Sequence, residues 1–207
     1  MKRWPPVPTL LVAAAIAAMI GLGIWQLERR GEKERLIALY AANLQKPEMA
    51  FPRMGPVPDD AMFRRATAHC LSVAGWTLEG GRAQSGATGY RRIAECRTGA
   101  EGPGLLVDMG VSPDPKLVVQ WAGGPVSGWV ATEPDHSSAF AKLLGRRTVL
   151  RPLLVSTVAA PGLQPSEPPR LDAVPNNHLA YAVQWFLFAA VAGLIYYLAL
   201  RRRWAKD

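Results

Sequence analysis

Three histidines and two cysteines are the side chains in this 207-residue chain best suited to metal, nucleophilic or redox chemistry, and their spacing sorts them into different cases. His69 and Cys70 are adjacent, so on a strand they point to opposite faces and form no common site unaided; a structural histidine beside a buried or bonded cysteine is the ordinary outcome. Cys70 and Cys96 are the only cysteines, and an even count in an oxidising compartment favours a disulfide. Such a bond closes a loop of about 27 residues and stabilises by about 3.5 kcal/mol if it acts through chain entropy. A copper-binding thiol pair is the alternative, but neither a CxxxC spacing nor a neighbouring Met or His cluster supports it. His178 opens the run HLAYAVQWFLFAAVAGLIYYLAL, and on a helix it shares a stripe with Tyr181, Trp185 and Phe188, with Gln184 at the edge. A neutral imidazole is a common axial ligand of haem iron, and one at the mouth of a membrane span can reach a porphyrin lying flat against Tyr181 and Trp185. A histidine bonded to a lipid headgroup, with Tyr181 and Trp185 as interfacial aromatics, is the competing reading.

No catalytic residues stand out. The chain carries no glycine-rich phosphate loop, HExxH or GxSxG, no metal-ligand cluster, and its carboxylates are scattered. No enzyme activity is expected.

The element that must position His178 is a complete span. From His178 to Leu200 there is no charged residue, enough to cross about 30 Å of hydrocarbon as a helix, and Arg201, Arg202 and Arg203 stop it. A second apolar run, Val7 to Leu27, follows Lys2 and Arg3. It is longer than a signal-peptide core of about 7–15 residues and lacks a small-x-small cleavage site, so it is expected to stay as an anchor. Ala13, Ala17 and Gly21 on the first run, and Ala189 and Gly193 on the second, form small-xxx-small rows, so the spans are expected to touch. Gln184 needs a partner about two turns into its span, and Gln26 is the candidate by depth.

Positive charge gathers at both ends, so both are expected to be cytoplasmic and the middle of the chain periplasmic. The net charge of +8 does not imply nucleic acid, because residues 28–172 hold 18 Lys and Arg against 15 Asp and Glu. The first span begins too early for an Arg- and Ser-rich transit sequence, which points to a bacterial inner membrane.

Between the spans the pattern predicts a helical extension over 28–46, ending before Pro47, and then a mainly β domain over 47–175. Strands are predicted at 66–74, 90–97, 105–111, 117–121, 126–132 and 148–158, a short helix at 137–144, and an extended Pro-rich tether at 161–175. The fold class is therefore a membrane protein with two transmembrane helices, 9–27 and 178–200, flanking a mainly β extracytoplasmic domain, an α+β fold built on a small sheet or barrel. The tails, 1–8 and 201–207, are expected to be cytoplasmic.

The string NNHLAYAVQWF, 176–186, resembles the second transmembrane helix of the surfeit-locus (Surf/Shy) family of cytochrome c oxidase assembly factors. GIWQLERRGEKERLI, 23–37, is similar to the end of that family's first span, through Trp25, Gln26, Arg29 and Lys33. Weaker points of likeness are Phe63 with Arg64, Gly75, Gly89 with Tyr90, and Leu106 to Asp108; Met109, Gly110 and Val111 stand where the family usually has Arg-Gly-Trp. The resemblance implies assembly of an aa3-type oxidase, with haem a held or inserted at subunit I. His178, as iron ligand, and Tyr181, Trp185, Gln184, Trp25, Gln26 and Arg29 would be the binding residues. Arg29 and Lys33 suit haem propionates, or equally lipid phosphates. The implied partners are oxidase subunit I, a haem a synthase and membrane lipid. The alternative is a two-span periplasmic ligand-binding or scaffold protein without haem. A sensor would need an output domain that tails of this length do not offer, and a tethered hydrolase would need a nucleophile near His69 or His136.

Overall fold

The computed structural model describes residues 5–52, 55–99, 104–138, 140–141, 144–145 and 148–205. Two compact units result, one of residues 1–37 with 174–207, the other of residues 38–173.

The first unit is a pair of helices. α1 (Pro6–Asn43) begins with proline at its first position, where the missing N–H is no loss. α2 (His178–Trp204) carries Arg201, Arg202 and Arg203 in its last turn, where cations complement the helix dipole. Only 6% and 11% of the most apolar windows of these helices is buried, so they are not core helices of a soluble fold. Two apolar helices near the ends of the chain flanking a sheet domain make this a two-span membrane protein with a β domain.

The second unit is one mixed seven-stranded sheet in the order β1 (Met49–Ala50), β2 (Arg65–Cys70), β6 (Gly124–Thr132), β7 (Pro152–Ser156), β5 (Leu105–Ser112), β4 (Thr88–Arg97), β3 (Ser72–Arg82). β1–β2 and β5–β7 are parallel pairs and the others antiparallel. Central β5 and β7 are buried at every residue, as their near-continuous Leu and Val content demands. The sheet is rolled: β2 and β4 are separated by three strands, yet Cys70 and Cys96 at their ends are disulfide-bonded, with Cα atoms 5.2 Å apart. Cys70, Cys96, Leu105, Val107, Met109, Val130 and Leu154 pack together on the inner face, while Ile93, Leu106, Leu153 and Val155 form a smaller cluster on the other.

The structure departs from the sequence pattern in four places. The strand expected at 66–74 is two strands, because the chain leaves β2, turns at Leu71 and starts β3 on the opposite edge of the roll. β3 then runs past the expected end at 74 to Arg82, and Gly81 lets the Arg91 side chain cross close to the backbone. The apolar run at 117–121 is no strand; Val118 is exposed and Trp121 meets Trp76 edge-on. The helix expected at 137–144 falls partly outside the described residues.

The fourth departure is the Pro-rich arm, which is no free tether up to Glu167. Val111 and Gln164 exchange both backbone hydrogen bonds (2.7 and 2.9 Å), Gln84 N–H donates to Pro165 O, and Glu167 N–H to Arg82 O. Gly110 makes this approach possible: its φ is 125°, and a Cβ there would lie 2.6 Å from Gln164 O. Beneath the arm Asp108 is fully buried and accepts from Ser166 Oγ (2.7 Å), Gly110 N (3.0 Å) and Arg91 Nη1 (3.4 Å). At the other end of the domain, Asn43 of α1 donates to Asp59 O and Met62 O, and Tyr40 stacks on Phe63.

Burial pushes the Asp108 carboxyl above its ordinary range, against the opposing pull of Ser166, Arg91 and Gly110. A carboxyl raised in the folded state contributes stability that is fully present below its unfolded value of about 3.9 and lost as pH rises through its folded value. The Tm difference between wild type and Asp108→Asn, which cannot titrate, should therefore move in favour of wild type as pH falls from 7 towards 4. A difference constant with pH would refute the raised carboxyl.

Candidate functional site

The two helices meet along one seam. On α1 the covered positions are Val12, Ile16, Met19, Gly23, Gln26 and Arg30, a strict alternation of four- and three-residue steps. On α2 they are His178, Ala182, Trp185, Ala189, Gly193 with its neighbour Ala192, Tyr196 and Leu200. This near-heptad spacing is that of knobs-into-holes packing between helices crossing at a shallow angle. Gly23 is the tightest point, since a Cβ there would lie 2.5 Å from the Phe186 ring.

Each end of the seam carries a polar clasp. At one end the Thr9 hydroxyl donates to Pro5 O (2.6 Å), so Tyr196 Oη donates to Thr9 Oγ1 in a short bond between the helices. At the other end His178 Nδ1 lies 2.7 Å from Gln26 Oε1. Each of these two residues belongs to one of the two sequence stretches singled out above, one from each helix.

The other expected residues divide. Trp185 is half-buried on the seam and packs edge-on against Phe188, with ring centroids 6.1 Å apart. Tyr181 and Phe188 do not lie on the covered stripe: Tyr181 is 51% exposed and Phe188 48%, because small Ala182 and Ala189 take the contact positions. Gln184 is exposed and does not meet Gln26, whose partner is His178. The row of Ala13, Ala17 and Gly21 also faces away from α2, and Gly21 has no neighbour within 4 Å of its missing Cβ. Trp25 projects outward with the Arg29 guanidinium 5.7 Å over its ring, and Arg29 pairs with Glu32 at 2.6 Å. Arg29 and Glu32 are both more than half exposed, so the pair contributes about 0–1 kcal/mol and exchanges readily for another anion. Asn176, two residues before His178, buries its Oδ1 with no hydrogen-bond partner.

Within the domain, His136 pairs with Glu79 at 2.9 Å, and His69 is exposed. Among the described residues no hydroxyl or thiol hydrogen-bonds to either imidazole, and no group of three metal-ligating side chains converges. The Asp108, Arg91 and Ser166 cluster escaped the sequence reading. Its one signal was a lone carboxylate inside the apolar string LLVDMGV.

An exposed apolar helix pair with a histidine bonded at one end of its seam, and a rolled, disulfide-closed sheet, define a two-span membrane protein with a β domain. Residues 13–190 match the SURF1 family, and the chain belongs to it. That is a family of factors associated with cytochrome c oxidase assembly, not a family of enzymes. No curated protein matches the chain.

If Gly23 sets the helix approach, Gly23→Leu should pry the seam open. In Thr9→Cys/Tyr196→Cys protein, a short bis-maleimide should link the two helices so that they stay joined after proteolysis of the domain. Adding Gly23→Leu should cut that yield several-fold; an undiminished yield would remove Gly23 from the contact.

Proposed function

We propose that this protein holds haem a at the paired ends of its two spans and presents it to subunit I of an aa3-type cytochrome c oxidase, with His178 as an iron ligand. One observation carries the reading: the two family-like stretches, more than a hundred residues apart in the chain, meet where Gly23 approaches the Phe186 ring and Gln26 hydrogen-bonds His178.

The residues present suit the cargo. His178 is half-buried and offers an imidazole, which binds haem iron in many proteins. Trp185, Tyr181 and the outward Trp25 supply aromatic surface for a flat macrocycle, and Arg29 and Lys33 supply charge for its propionates. The orphan Asn176 Oδ1 gives a further acceptor at the same end of α2. Haem brings the redox-active iron; the chain binds it, orients it and limits water around it. A haem a synthase is the natural donor, subunit I the acceptor, and bilayer lipid the surrounding medium.

The proposed setting is a bacterial inner membrane with both termini cytoplasmic. Arg201, Arg202 and Arg203 at one end, and Lys2 and Arg3 at the other, support that orientation. The Cys70–Cys96 disulfide suits an oxidising periplasm around the domain. Alkaline phosphatase fused after Ala173 should be active in a bacterial host, and fused after Asp207 inactive; the reverse pattern would invert the topology.

Removing the imidazole should loosen the haem site without abolishing it. His178→Ala protein, purified from cells that make haem a, should show lower haem occupancy or a shifted Soret band, while His136→Ala should match wild type. Unchanged occupancy and spectrum in well-folded His178→Ala would end the claim of ligation.

A further inference from the structure

We infer that Gln26 is the positioning residue of this site: its amide oxygen pins the proton of His178 to Nδ1 and so leaves Nε2 as the nitrogen able to bind a metal. The inference rests on the haem reading for its purpose, but its chemistry stands on the geometry alone. Gln26 Oε1 is 2.7 Å from His178 Nδ1. An amide oxygen only accepts, so Nδ1 must be the donor, and a neutral imidazole with a proton on Nδ1 has its free lone pair on Nε2.

Local packing holds the amide in place. Gln26 is a seam residue one turn from Gly23, whose contact with the Phe186 ring fixes how closely the helices approach there. One turn further on, Arg30 is tied to Glu34 at 2.6 Å. His178 is the first residue of α2, and the side chain of Asn177 at the N-cap makes no capping bond, so among the contacts described here Gln26 provides the polar restraint on the ring. The opposite amide orientation, with the NH2 group donating to Nδ1, would place the proton on Nε2 and close the ligand position. The two orientations thus predict opposite tautomers, and only one yields a ligand. A hydrogen bond of this kind on the far nitrogen of a metal-binding histidine orients the ring and raises its basicity, and its loss typically weakens metal binding by about 10–100-fold.

The test uses full-length protein in detergent, labelled with 15N-histidine and produced in cells that make no haem a. The His178 signals are identified by their absence from His178→Ala protein. Wild type and Gln26→Glu, which keeps an acceptor oxygen, should show a protonated Nδ1 and a bare Nε2. Gln26→Leu should lose that preference. A proton on Nε2 in wild type, or an unchanged tautomer in Gln26→Leu, would overturn the inference. The Thr9→Cys/Tyr196→Cys cross-link, retained in Gln26→Leu, shows that the helix pair is intact. In haem-loaded protein, Gln26→Leu should bind haem about 10–100-fold more weakly. Gln26→Glu, which keeps the acceptor oxygen, should retain it. If the tautomer responds as expected but His178→Ala leaves haem content unchanged, the positioning role stands and the haem reading falls.

Discussion

A carboxylate taken out of water must be met by donors, and the fold of the domain follows from how Asp108 meets that demand. It sits on the central strand, fully buried, and its donors come from three separate parts of the chain. Gly110 supplies the one closest in sequence, at the irregularity where β5 slips one residue against β4. Arg91 supplies the charge from β4, lying so close over β3 that a Cβ at position 81 would come 2.3 Å from its side chain. Ser166 supplies the third, and only an arm laid along β5 can deliver it. Taking away one partner of such a group typically costs about 3–5 kcal/mol when the charge is left unmatched. The arm is therefore part of the domain fold rather than a spacer after it.

The helix pair solves a different problem with the same economy. Lipid gives apolar helices no hydrophobic reason to associate, so contact depends on close packing and on a few polar groups. Here Gly23 and the alanines of α2 supply the packing, and polar bonds are kept to the two ends. Among the described residues, the middle of the seam carries no hydrogen bond between side chains, leaving His178 at one extremity.

The legible and illegible parts of this chain differ for physical reasons. The spans, the strands around Val107 and Val130 and the histidine at the head of α2 were readable because each is a local pattern: length without charge, apolar runs between Gly and Pro, one imidazole against hydrocarbon. The orientation of α2 was not, because a helical wheel gives every polar and aromatic residue a side but cannot say which side the neighbour chooses. The neighbour chose the alanines, so Tyr181 and Phe188 turned outward and Gln26 met His178 instead of Gln184. The Pro-rich arm read as a tether because its partners, Val111 and Asp108, are more than fifty residues away, beyond any local signal.

That separation has a consequence for biosynthesis. Asp108 and Ser166 are 58 residues apart, and at about 5–20 residues per second the carboxylate waits about 3–12 s for its hydroxyl partner. By then β1 to β7 have all been made, and only a single 3-10 turn, Leu171–Ala173, comes before α2. The rolled sheet thus cannot finish closing during most of its own synthesis. Its last donor is made about a dozen residues before the second span begins, which makes domain closure and membrane insertion neighbouring events in the life of each new chain.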